Sequence, residues 1–231
     1  MGTRLGRLVL ALVFSACVMT QAGCQGEPAE PATQTNASFS LPVDQKMVVF
    51  GDAWAAGYDA KPRGKGFAYL LGPMVGARST EVLADGGTGF VNAGRNGQGN
   101  YAARLAKLPI DPDARLVIVQ GGLNDFAGSK SLFADAHKAI SLAKNRFPNA
   151  NIVVLGFVPK TLSKGATTMD RSISAAAEAN SVHYISPIAE RWITEGNIHQ
   201  YIDPTTGHPN TSGHEFIARR LAGALNVLSI Q

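Results

Sequence analysis

Five short apolar runs, each closing on glycine or proline and separated by helical patterns, constrain this chain more than any other feature in it. Met47-Val48-Val49-Phe50 runs into Gly51-Asp52, residues 80–83 into Ala84-Asp85-Gly86-Gly87, and residues 116–119 into Gln120-Gly121-Gly122. Residues 152–155 lead to Gly156-Phe157-Val158-Pro159, and residues 182–185 to Ser186-Pro187. Runs of this length, bounded by chain-turning residues, predict strands covered on both faces, as in a parallel sheet. Between them, residues 132–147 carry Phe133, Ala136, Ile140, Ala143 and Phe147 on one helical stripe. Residues 213–228 repeat the pattern with Phe216, Ile217, Leu221 and Leu225. Strict strand–helix alternation predicts an α/β fold, a three-layer α/β/α sandwich around a five-stranded parallel sheet of flavodoxin-like type. The domain is expected over residues 41–231, and no internal repeat interrupts it.

The residues before it read as an address and a spacer. Arg4 and Arg7 precede an apolar run over residues 8–19, too short to span a bilayer and suited to a signal-peptide core. Gln21-Ala22-Gly23-Cys24 resembles a bacterial lipobox, which predicts a signal peptide over 1–23, a lipidated Cys24 and membrane contact through that anchor. Ordinary cleavage after Ala22 is the alternative, and either route exports the chain. Residues 25–40, QGEPAEPATQTNASFS, hold almost no large apolar side chain, so a disordered tether is expected over 24–40. Of the two cysteines, Cys17 lies in the leader, so the processed chain has no intramolecular disulfide and no CxxC-type zinc site. The net charge of +4 is not gathered into a patch, which argues against nucleic acid as a partner.

Polar and glycine-rich residues follow the first three strands, where sites form in open parallel sheets. They are Phe50-Gly51-Asp52-Ala53-Trp54, Gly86-Gly87-Thr88-Gly89-Phe90 and Gly122-Leu123-Asn124-Asp125. Near the C-terminus stand Gly207-His208-Pro209-Asn210 and, opening a helix, Gly213-His214. Four such blocks in this order resemble the SGNH (GDSL) hydrolases, a family of serine esterases and lipases. The resemblance implies hydrolysis of a carboxylic ester, such as an acyl or acetyl group on a lipid or cell-wall glycan, with no cofactor and no metal. It also implies roles: His208 as general base, with the N–H of residue 53, the N–H of Gly89 and the amide of Asn124 as oxyanion donors. Gly87 is the alternative to Gly89, because the glycine block aligns two ways. His214 is expected to cap its helix or to face solvent.

Two departures from that pattern follow. The nucleophile position holds Ala53, whose methyl group neither attacks nor transfers a proton. Two readings stay open: a Ser-to-Ala form of an esterase, which the retained Asn124, Gly89 and His208 favour, or a natural pseudoenzyme that binds acylated or glycan ligands. Where the family carries an aspartate three residues before its histidine, this chain has Thr205. The nearby acid is Asp203, and Pro204 and Gly207 would let the loop fold it back onto the His208 ring.

Rival chemistries fare worse. Gly94-x-x-Gly97-x-Gly99 has the wrong order for a dinucleotide loop and no strand leading into it. His183, His199, His208 and His214 lack the spacing of a zinc hydrolase.

Overall fold

The computed structural model describes residues 41, 44–158 and 163–228. The expected signal peptide, the tether and Cys24 lie outside these residues. Strands β1 (Lys46–Gly51), β2 (Ser79–Ala84), β3 (Ala114–Gln120), β4 (Asn151–Leu155) and β5 (His183–Ile185) form one sheet in the order β2-β1-β3-β4-β5. Every neighbouring pair is parallel. The five-stranded parallel sheet of an α/β fold is therefore present, each strand within two residues of its expected bounds.

The period of two along a strand divides the sheet's side chains between two cores. Val48, Phe50, Val117, Val119, Ile152 and Val154 point to one face. There they meet helices α2 (Tyr101–Ala106), α3 (Leu132–Arg146) and α4 (Lys164–Ala179). Met47, Val49, Leu116, Ile118, Val153 and Leu155 point to the other, against α1 (Phe67–Met74) and α6 (Thr211–Val227). The short α5 (Ile198–Tyr201) precedes α6. Side chains apolar at consecutive positions are what two buried faces demand, and the three central strands are buried almost throughout. The edge strand β2 is half-exposed, which its Thr80-Glu81 accommodates.

Two expectations need correction. Phe133 does not join the α3 stripe; its side chain is 46% exposed, while Leu132 one position earlier is fully buried. The true stripe is Leu132, Ala136, Ala139, Ile140 and Ala143. The last helix opens at Thr211 rather than Gly213, because Asn210 caps it by accepting the Gly213 N–H at 2.9 Å.

From β1 the chain crosses to β2 by α1 on one face, and from β2 to β3 by α2 on the other. The carboxyl ends of β1 and β3 therefore open a crevice between loops that leave in opposite directions. The first and third motif blocks occupy it.

Candidate active site

Glycine ends β1 because nothing larger fits: a Cβ on Gly51 would stand 2.8 Å from the Ala55 methyl and from Gln120 Oε1. Asp52 follows, with its carboxylate 1% exposed. Asp52 Oδ1 accepts the Trp54 N–H at 2.9 Å, and Oδ2 accepts from Asn124 Nδ2 at 3.1 Å. Burial pushes this carboxyl up to about 7; the Trp54 N–H and Gln120 oppose the shift, and the charge of Asp125 adds to it.

Ala53 begins a helical turn in which the N–H groups of Ala56, Gly57 and Tyr58 return to the carbonyls of Asp52, Trp54 and Ala53. The Ala53 N–H stands at the open start of that turn and has no protein acceptor among the described residues. Here a serine would sit at the start of a dipole-bearing turn, as nucleophiles in acyl transfer do.

The third block supports the second. Asn124 Nδ2 also donates to the Thr88 carbonyl at 2.9 Å, so both of its amide hydrogens are committed, one to each neighbouring loop. Asp125 is buried and accepts three backbone N–H groups in a row: Phe90 at 3.0 Å, Val91 at 2.9 Å and Asn92 at 3.0 Å. Burial raises its carboxyl, and those three N–H groups oppose the rise. This cradle explains Gly89, where any Cβ would strike the Asp125 carboxylate.

Gly89 is thus required for packing, and its own N–H is spent on the Asn92 carbonyl at 2.9 Å. Gly87, in the left-handed region at φ +77°, has an N–H without a protein acceptor among the described residues. Of the two glycines that the block offers, Gly87 keeps an N–H free to donate and Gly89 does not. Arg104 fastens the whole corner, its guanidinium donating to the carbonyls of Gly51 and Leu83 and to Thr88 Oγ1, and pairing with Asp85 at 3.1 Å.

The fourth block departs from the expectation for Asp203. Its Oδ1 accepts the N–H groups of Thr205 at 2.8 Å and Thr206 at 3.1 Å, which hold the carboxyl below its ordinary value. Asp203 therefore makes the turn and does not meet the His208 ring, although its N–H does reach the His208 carbonyl at 2.9 Å. The acid beside the ring is Asp59, whose Oδ2 lies 3.1 Å from His208 Nδ1 and also accepts from Thr206 Oγ1. Tyr58 meets the same ring edge-on, centroids 5.6 Å apart. Reading the sequence for an acid near His208 missed Asp59, which lies 149 positions away. The available signal was its place six residues after Ala53, on the block that opens the site.

His214 is neither a cap nor solvated. It is fully buried, with Nε2 donating to the Tyr58 carbonyl at 2.8 Å and Nδ1 accepting the Phe67 N–H at 3.2 Å. A backbone N–H can only donate, so the ring is neutral with its proton on Nε2, and burial lowers its basicity further. Among the described residues no group of three or more His, Cys, Asp or Glu is placed to hold a metal ion.

Comparison with known proteins bears on the family and the fold. Residues 49–216 match the GDSL-like lipase/acylhydrolase family. A GDSL lipase of Mycobacterium tuberculosis, Rv0518, is 27% identical over 192 residues, covering 78% of this chain and 81% of its own. Among solved structures, a carbohydrate esterase family 2 enzyme of Corynascus thermopiles superimposes with a TM-score of 0.64 at 18% identity, over 81% of this chain and 68% of its own. Phospholipase A1 of Streptomyces albidoflavus does so with a TM-score of 0.56 at 16% identity, over 78% of this chain and 99% of its own. At these identities the two structures establish the shared fold.

Proposed function

The chain belongs to the GDSL-like lipase/acylhydrolase family, and from that premise we propose that it is an exported domain shaped for carboxylic esters whose reaction is halted at Ala53. One observation carries the reading: the ring of His208 keeps a carboxylate on Nδ1, from the same turn that Ala53 begins. A protein that only binds has no physical use for an oriented base. Relatives described as a lipase, a carbohydrate esterase and a phospholipase support acyl or acetyl groups on a lipid or glycan as the substrate class. Export is supported by the basic and apolar leader.

With a serine at position 53 the steps balance. Its Oγ attacks the acyl carbon while its proton passes to His208 Nε2. The N–H groups of residues 53 and 87 hold the oxyanion. The alcohol departs with that proton, and water repeats the sequence to release the acid. Asn124 joins the oxyanion site only by giving up one of its two present acceptors, Asp52 Oδ2 or the Thr88 carbonyl. That commitment favours the second reading, a natural pseudoenzyme that retains the fold to bind acylated or glycan ligands.

The deciding experiment is Ala53→Ser, assayed on short and long acyl esters and with a serine-directed phosphonate. Loss of the nucleophile costs on the order of a millionfold in turnover. Ala53→Ser is therefore expected to gain turnover by many orders of magnitude and to be labelled stoichiometrically. An Ala53→Ser variant that neither labels nor hydrolyses leaves the pseudoenzyme.

A further inference from the structure

We infer that Asp59 is the residue that positions His208, so that acid and nucleophile position share one turn after β1 instead of acid and base sharing the C-terminal loop. The inference rests on the ester-hydrolase reading for its catalytic consequence, but not for its geometry.

The local chain is shaped to deliver this carboxylate. Gly57 takes φ +73°, and a Cβ there would meet the Arg63 carbonyl at 2.8 Å, so only glycine lets the turn close. Asp59 itself is left-handed at φ +66°, a conformation that aspartate tolerates better than most side chains. Between them Tyr58 is fixed on several sides. Its N–H bonds the Ala53 carbonyl, its own carbonyl accepts from His214 Nε2, and the Arg63 guanidinium lies 4.6 Å over its ring. Asp59 therefore stands on a turn anchored both to position 53 and to α6.

The C-terminal loop supplies the complement. Thr206 donates its hydroxyl to Asp59 Oδ2 and accepts the His208 N–H at 3.2 Å, so one side chain braces both members of the pair. The Asp59 and His208 side chains are 33% and 25% exposed, open enough for a substrate to approach. A carboxylate on Nδ1 can only accept, so it keeps the neutral ring's proton on Nδ1 and leaves Nε2 bare to take the proton of an attacking hydroxyl. Asp203, tied to two N–H groups of its own loop, has no such contact with the ring.

The test reads the tautomer before it reads the chemistry. In the chain as it stands, with histidine nitrogens labelled with 15N and His208 assigned through His208→Gln, long-range proton–nitrogen correlation above the histidine titration range should show Nδ1 protonated and Nε2 bare. Asp59→Gly, which adopts the left-handed backbone freely, leaves Nδ1 without its acceptor and should move the proton toward Nε2. Asp59→Glu keeps an acceptor and should retain Nδ1–H, which a merely structural turn residue would not require. Asp203→Asn should leave the tautomer as it was. In the Ala53→Ser background, Asp59→Gly should lower kcat by about a hundredfold or more with KM changed by only a few-fold, since a wrong tautomer elsewhere costs about ten-thousandfold. An unmoved tautomer in Asp59→Gly, or a proton moved by Asp203→Asn alone, overturns the assignment. If Ala53→Ser hydrolyses nothing while the tautomer responds to Asp59, the hydrolase reading fails and the positioning role stands.

Discussion

At the residue scale, two buried groups give the molecule opposed pH dependences. Asp52 has its folded value raised to about 7, so the native state holds a proton that the unfolded chain releases near 3.8. Its stabilising contribution is complete below that lower value and is lost as pH rises through about 7. His214 is shifted down from 6.5, so its contribution is complete above 6.5 and is lost as pH falls below it. Carbon-13 titration of the carboxyls should find one midpoint near 7 that disappears in Asp52→Asn; if every carboxyl titrates below about 5, the desolvation argument fails. A second contrast concerns glycines. Gly89→Ala forces a methyl into the Asp125 carboxylate and should cost about 2–3 kcal/mol, or roughly 5–10 °C in Tm. Gly97→Ala, with open space around it and only its φ of +71° to strain, should cost about 1 kcal/mol, and a thermal melt separates the two. The blocks around Asp52 and Asn124 were legible because each follows a strand end, and the block around His208 because it runs into the cap of the last helix at Asn210. Asp59 was not, because a contact across 149 positions leaves no local periodicity, and its place six residues after Ala53 becomes a signal only once that turn is seen to meet the C-terminal loop.

At the element scale, α6 does more than cover the sheet. Its His214 reaches past α1's first N–H to the Tyr58 carbonyl, coupling helix docking to the turn that carries Asp59. His214→Phe keeps the bulk but orphans the buried Phe67 N–H and the Tyr58 carbonyl. It should cost about 2–4 kcal/mol by denaturant unfolding and, in the Ala53→Ser background, also lower kcat. A stability loss without any change in kcat would show that α6 and the turn are uncoupled. Strand and helix placement was readable because parallel strands with two buried faces write continuous apolar runs, and those runs end where the chain must turn. Phe133 misled because helical spacing alone cannot tell a core stripe from a neighbouring position, and Leu132 has the same chemistry one step away. His214 misled for a different reason: a histidine at a helix start is usually wet, and only the partners brought by α1 and the Tyr58 turn compensate its burial.

At the scale of the whole molecule, the sheet is a partition between two cores, and the site lies where that partition splits at the carboxyl ends of β1 and β3. What precedes the domain bears on where this site works. If Cys24 is the lipidated first residue, mass spectrometry of the mature N-terminus will find a diacylglyceryl cysteine; a terminus at Gly23 instead would mean a freely secreted chain. The turn between β1 and α1 has a further consequence for how such proteins diversify. On the proposed roles, the position of attack and the orienting acid lie within seven consecutive residues, Ala53 to Asp59, so one short contiguous cassette transplanted between relatives would carry both at once. The recipient need provide only a histidine. A lineage built this way can lose or regain its chemistry through a single codon at position 53 while the acid and the base wait in register, already aligned.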